Sequence, residues 1–247
     1  MENKVKAMRE GGAVLGKILK ELREYVKVGM NELDIDKWVE KRIIEYGAEV
    51  AYYEPEVNFP GAICISVNDE IIHGAPKDNE LEDGDKVSFD LTIKYKGYYV
   101  DSAFTMVIGE VSAGVKRLLS VTESAMWEGI EQVRAGQKMG TIGNAIEEVL
   151  ERGKLGIVME YVGHGIGESM HEKPDVPNYG RKGQGYELEA GDVICIEPMA
   201  SLGKADNYVD DDGWTVMLKD GSIGAHFEHT VLVTEDGYEV LTLGDRQ

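Results

Sequence analysis

Asp90 and Asp101 lie on two consecutive strand-like segments, residues 86–93 and 98–108, joined through Lys94-Tyr95-Lys96-Gly97. A tight turn with an even-numbered loop there sets the two aspartates directly opposite one another, Cβ atoms roughly 5 Å apart on one face of a hairpin. Like charges so placed repel unless a cation lies between them or one is protonated. Taken alone, the pair also reads as two exposed acids on a surface hairpin. Glu197 ends the apolar run Val193-Ile194-Cys195-Ile196, and Glu228 follows in Ala225-His226-Phe227-Glu228-His229. Four carboxylates carry −4, which two divalent cations balance. His164, in Gly163-His164-Gly165-Ile166-Gly167, can add one nitrogen. An oxygen-rich set with one imidazole suits Mn, Fe or Co and tolerates Zn. Two such ions about 3.5–4 Å apart can share a bridging hydroxide, activating it as a nucleophile and polarising a carbonyl. His73 and His171 are candidates to donate to a substrate carbonyl or oxyanion, while His226 and His229, flanking Glu228, read as packing or orienting groups.

Such residues need a scaffold, and the scaffold repeats. Leu81-Glu82-Asp83-Gly84-Asp85-Lys86-Val87-Ser88-Phe89-Asp90 returns 107 positions later as Leu188-Glu189-Ala190-Gly191-Asp192-Val193-Ile194-Cys195-Ile196-Glu197. Each copy runs from an acidic turn through an apolar strand to a carboxylate, a costly ending for a buried strand unless the charge is compensated. At the same offset Val26-Lys27-Val28-Gly29 matches Val133-Arg134-Ala135-Gly136, and Ile35, Val39 and Ile43 match Ile142, Ile146 and Leu150. One spacing linking a turn, a helix face and a strand favours two pseudo-symmetric halves sharing a core over a solenoid of short repeats. Apolar periodicity predicts helices over residues 5–22, from Asn31 to near Gly47, from Ser112 through Ile130 and from Thr141 to Gly153. Strands are predicted at residues 62–67, 86–93 and 98–108, and again between residues 157 and 243. Two rounds of helices followed by strands give an α+β class, with helices covering one face of a curved antiparallel sheet.

The 247 residues suffice for one large domain or two modest ones. No apolar run approaches the roughly 20 residues of a membrane span, and the N-terminus shows no secretory signal. A net charge of −20 disfavours extensive nucleic-acid binding. The two cysteines, Cys64 and Cys195, sit in apolar strand-like segments and suit core packing in a reduced setting. Gly-x-Ser-x-Gly, Walker, His-Glu-x-x-His and Cys-x-x-Cys motifs are all absent. Gly11-Gly12 falls inside a helical pattern and is too weak a signal for a phosphate loop.

The chain resembles the type I methionine aminopeptidases, dinuclear metallopeptidases of the pita-bread fold. The resemblance runs over essentially the whole length. It rests on His73-Gly74-Ala75-Pro76, Asp90 with Asp101, Gly163-His164-Gly165-Ile166-Gly167, Ile196-Glu197-Pro198-Met199 and Glu228-His229-Thr230. It implies a single catalytic domain over residues 1–247, with halves near 1–110 and 111–247. It implies that Asp90, Asp101, His164, Glu197 and Glu228 hold two divalent ions (Co, Mn, Fe or Zn). Asp101 and Glu228 would bridge them, with His164 and Glu197 serving one ion and Asp90 the other. Glu197 would handle the proton of the attacking water, and His73 and His171 would contact the substrate as further catalytic groups. Phe59, Cys64, Met170 and Trp214 would wall an apolar pocket for the methionine side chain. Tyr53-Glu54-Pro55-Glu56-Val57-Asn58 departs from the family pattern, its acids either attracting the free amino terminus or facing water.

The activity so implied is removal of the initiator methionine, a protein-maturation step in the cytoplasm. The expected partners are the N-termini of nascent peptides, with the ribosome as a further candidate; no DNA or membrane partner is expected, and the chain is expected to be a monomer. An Xaa-Pro aminopeptidase or dipeptidase is the nearest alternative, although those enzymes usually carry a sizeable domain before the catalytic half. A non-catalytic pita-bread module that binds other molecules is the next.

Overall fold

Two residues with left-handed backbone, Lys96 (φ 51°) and Gly97 (φ 85°), turn the chain between the strands Lys86–Tyr95 and Tyr98–Val107. Positive φ at both central positions defines the tight turn that matches strand twist. The register therefore starts at Tyr95 opposite Tyr98 and places Thr92 opposite Asp101 and Asp90 opposite Ala103. This corrects the direct Asp90–Asp101 facing expected from sequence. The loop is even-numbered, but the Lys-Gly pair draws it toward the second strand and slides the register by two. Parity survives, so both aspartates stay on one face, as diagonal neighbours. Cys64, on the strand Cys64–Val67, lies opposite Asp90 on the other side.

The structure, a computed structural model, describes residues 2–244. Its helices are α1 (Glu2–Tyr25), α2 (Glu32–Glu45), α3 (Ala113–Ile130) and α4 (Met139–Arg152). Asn31 caps α2 by accepting Leu33 N–H, and Ser112 caps α3 by accepting Val115 N–H. Helix α4 starts two residues before Thr141, whose hydroxyl instead accepts the Gly183 N–H at 3.1 Å. Ile35, Val39 and Ile43 of α2 and Ile142, Ile146 and Leu150 of α4 are all buried, the stripe that a 3.6-residue period requires. Their surroundings recur at a fixed spacing. Gly29 N–H bonds to the Leu81 carbonyl at 2.8 Å, as Gly136 N–H does to Leu188. Isolated bridges join Asn31 to Glu80 and Lys138 to Glu187. Asp85 accepts the Glu82 N–H, as Asp192 accepts that of Glu189. Helix α1 lies close on the sheet because Gly11 and Gly12 offer no side chain where Tyr95 and the Leu241 carbonyl approach, which accounts for the glycine pair.

Among the described residues every strand pair is antiparallel, in four sheets; three of them build one core with all four helices, while the sheet of residues 70–72, 207–209 and 216–218 packs on a smaller second cluster with Val158 and Met199. The strand Val193–Ile196 pairs with Gly165 on one side and with His229–Val233 on the other. A seam of hydrogen bonds joins residues 101–105 to residues 226–230. Glu228 N–H donates to the Ala103 carbonyl at 2.9 Å, and Ala103 N–H returns to Glu228 at 3.3 Å. Thr230 and Thr105 replace the flanking ladder bonds with their hydroxyls, Thr230 on the backbone of Asp101 and Thr105 on that of His226. Asp101, on the strand Tyr98–Val107, and Glu228, between the strands Gly224–His226 and His229–Val233, are thereby held together though far apart in sequence.

Candidate functional site

The four acids are not surface groups. Asp90, Asp101 and Glu228 are 8%, 6% and 2% exposed, and Glu197 shows 12% of its side chain. One oxygen each from Asp90, Asp101 and Glu228 lies within 4.8 Å of the others, and Glu228 belongs equally to a second group with His164 and the Cys195 sulfur. His164 completes this side. Its Nδ1–H donates to the Gly165 carbonyl at 2.9 Å, which leaves the Nε2 lone pair toward Glu197 Oε1, 3.5 Å away. Thr92 donates to Asp101 Oδ2 at 2.7 Å, and the Tyr52 hydroxyl lies 3.3 Å from Asp90 Oδ1. Asp101 Oδ1 and Glu228 Oε1 are buried with no hydrogen-bond partner among the described residues.

Burial and mutual repulsion oppose so many negative charges. Burial first, then the charges of Asp101 and Glu197, push Asp90 and Glu228 well above the carboxylate range. Burial lifts Glu197 to about 8, against the pull of His164 and with Asp101 adding to the rise. The unpartnered oxygens and the concentrated negative charge fit divalent cations, which would relieve both. Burial lowers His73 and His226 to about 4, so both imidazoles are neutral at physiological pH. His226 Nε2 stands 3.6 Å from Glu197 Oε2, beyond hydrogen-bond distance, and both of its ring nitrogens are buried without a partner among the described residues. His229 points to the opposite side, hydrogen-bonded to Ser102 and Thr242 and packed 5.4 Å from Trp127.

The carboxylates and His164 form the floor of a cavity of about 590 Å³. Phe59, Cys64, Met170 and Trp214 all line it, as do His73 and His171. Phe59 meets Tyr52 on one side and Trp214 on the other, edge to face, each at 5.3 Å. His171 packs 4.4 Å from His164, and His73, left-handed at φ 56°, packs against Tyr161. The His73 turn is pinned from below. Gly74 N–H donates to Ser66 Oγ, its carbonyl accepts Ile65 N–H, and a Cβ on Gly74 would collide with the Ile65 carbonyl. The Tyr53–Asn58 question resolves in part: Glu54 is committed to Lys94 and Tyr99, Glu56 is exposed, and Val57 reaches the cavity.

Sequence reasoning missed Tyr52, Thr92 and Tyr161. Thr92 had a readable signal, since it shares the Asp90 face two residues along the same strand. Tyr52 and Tyr161 lie in irregular segments without periodicity.

No helix among the described residues is long and apolar enough to cross a membrane. The model of metallopeptidase family M24 matches residues 6–235. The methionine aminopeptidase of Mycoplasma capricolum subsp. capricolum is 44% identical over 247 residues, covering 99% of this chain and 98% of the relative. The crystal structure of methionine aminopeptidase from Rickettsia prowazekii superposes with a TM-score of 0.95 at 38% identity, over 98% of both chains. The prolidase from Pyrococcus furiosus shares the fold at a TM-score of 0.79 and 23% identity, this chain spanning 65% of its length.

Proposed function

The chain belongs to metallopeptidase family M24, and from that premise we propose that it removes the N-terminal methionine of newly made proteins by hydrolysing the first peptide bond. It is a metal-dependent peptide hydrolase with an α+β pita-bread fold. The observation that carries the specific reading is the junction of a buried acid cluster with an apolar cavity walled by Phe59, Cys64, Met170 and Trp214. Such a wall accepts one unbranched apolar side chain and leaves the carbonyl after it over the carboxylates.

The proposed cofactor is a pair of divalent ions, with Asp101 and Glu228 shared between them, His164 and Glu197 on one and Asp90 on the other. Glu228, common to both ligand groups, supports that division. Oxygen ligands with one imidazole favour Mn, Fe or Co and accept Zn. Bound there, the ions supply an acidified water and polarise the scissile carbonyl. Glu197, buried at the cavity beside His164, takes the water proton and delivers it to the departing amine. His73 and His171, both on the cavity wall, donate N–H to the carbonyl oxygen as it gains charge. Phe59 and Trp214 keep bulk water from the reacting face, and Thr92 holds the Asp101 carboxylate in place.

Residues 1–247 are proposed to act as one monomeric catalytic domain, its halves meeting at the seam, working in the cytoplasm on nascent N-termini as they leave the ribosome. Cleavage of Met-Gly-Met against Ala-Pro peptides, with manganese and with chelator, tests the assignment. Metal-dependent release of methionine, lost in Asp101→Ala and Glu228→Ala, is expected. A preference for Ala-Pro bonds, or no hydrolysis at any metal loading, would overturn it.

A further inference from the structure

Tyr52 sits on a single helical turn, Ala51–Tyr53, just after the short strand Glu49–Val50, which pairs with Lys94 and Ile93 of the long hairpin. Its ring lines the cavity and is only 6% exposed, fixed edge to face on Phe59 and by the Phe59 N–H bonding to the Tyr52 carbonyl at 3.1 Å. Its hydroxyl lies 3.3 Å from Asp90 Oδ1 and 3.2 Å from Thr92 Oγ1. Proton counting settles who donates to whom. Thr92 has one hydroxyl proton, and the carboxylate oxygen of Asp101 at 2.7 Å is its best acceptor. Tyr52 also has one proton, and of its two neighbours the Asp90 carboxylate is the stronger acceptor. A phenol ordinarily titrates at about 10, so the proton is present at neutral pH. Two touching hydroxyls thus serve the two aspartates of the first half, one each.

We propose that Tyr52 is a positioning residue for Asp90, its hydroxyl holding the carboxylate in the orientation in which it would face the cation on that side. The inference rests on the metal reading given above and deepens it. In that reading Asp90 serves only one of the two ions, so the Tyr52 hydroxyl governs that ion alone. The ion held by His164 and Glu197 has its own support, the Gly165 carbonyl behind the imidazole. Loss of a group that orients a metal ligand typically weakens metal binding about 10–100-fold. The Tyr52 bond, at 3.3 Å, is long for a hydroxyl donor, which places the effect at the lower end.

Calorimetric titration of Mn²⁺ into the chelator-stripped full chain tests this with Tyr52→Phe, which deletes the hydroxyl and keeps the ring. The expected result is about tenfold weaker binding at one class of site, with the other unmoved. The circular-dichroism spectrum in chelator should match the wild type because the ring stays in the wall. Tyr52→Leu, which removes wall and hydroxyl together, should shift both the isotherm and the KM for a Met-Ala-Ser peptide. A Tyr52→Phe isotherm that superposes on the wild type, or one weakened equally at both sites, overturns the assignment. A wild-type chain that takes up no Mn²⁺ is a different result, which removes the metal reading itself and this inference with it.

Discussion

Thr230 clasps Asp101 with a single hydroxyl, donating to its carbonyl at 2.7 Å and accepting its N–H at 3.0 Å. The contact joins strands from opposite halves beneath the carboxylate cluster. Thr230→Val keeps the shape but strands a buried N–H and C=O, each costing about 1–3 kcal/mol. Urea unfolding should show a loss of roughly 2–6 kcal/mol by the same accounting, with Mn²⁺ affinity falling in parallel, whereas Thr230→Ser should keep both. A valine variant as stable as the parent would show that the clasp carries no weight.

The carboxylate cluster makes stability depend on pH in a direction that metal reverses. Asp90, Glu197 and Glu228 bind protons more tightly folded than unfolded, Glu197 titrating at about 8. Groups raised in this way stabilise the fold below the ordinary carboxylate range and lose that contribution as pH climbs through the folded value. In chelator, the melting temperature should therefore decline between about pH 4.5 and 8 from these groups. Saturating Mn²⁺ binds the ionised folded form and should abolish the decline while releasing protons. Calorimetry in buffers of different ionisation enthalpy counts those protons; no release would contradict the cluster's charge state.

Lys86 presents the opposite slope. It is 0% exposed, and its ammonium donates to the carbonyls of Ser66 and Glu70 at 3.1 and 2.9 Å, with Ser88 Oγ at 3.5 Å. Burial lowers it to about 7, partly opposed by Glu70, Asp69 and Asp85. Between about 7 and the ordinary lysine value of 10.5 the unfolded chain binds the extra proton, so this residue makes stability rise with pH. The melting temperature of wild type minus that of Lys86→Met should grow more positive across that window. A flat difference would mean that Lys86 titrates as a surface lysine does.

Phe59 should set side-chain fit without touching the ions. It links Tyr52 and Trp214 through two edge-to-face contacts, and Phe59→Ala removes the ring from the cavity wall. Lost apolar contact of about 1.5–3 kcal/mol predicts that kcat/KM for Met-Ala-Ser falls tenfold or more, through KM, with the Mn²⁺ isotherm unchanged. Equal losses in metal binding would place Phe59 in a different role.

The acids set in or just after apolar strands, the glycine-flanked His164 and the recurrent spacing are local signals, and they were legible in the sequence. So were α2 and its Asn31 cap, because one side chain and one period specify them. The hairpin register was not, since it turned on which residue pair would accept positive φ, and Lys96-Gly97 prevailed over a turn one residue earlier. Lys86 reads as an ordinary strand-start lysine, and only carbonyls brought in from Ser66 and Glu70 make it a buried hub. Tyr52 sits in a short irregular stretch where no periodicity points inward, and its significance appears only once Asp90 is beside it.

Gly74 has no room for a side chain because it rests on the strand that also carries Cys64. The cavity wall and the His73 imidazole consequently travel as one body. A guest too wide for the wall cannot press it back without dragging the imidazole off its post. On the role proposed for His73, misfit should be penalised twice, once in how long the guest stays and again in how fast it is cut.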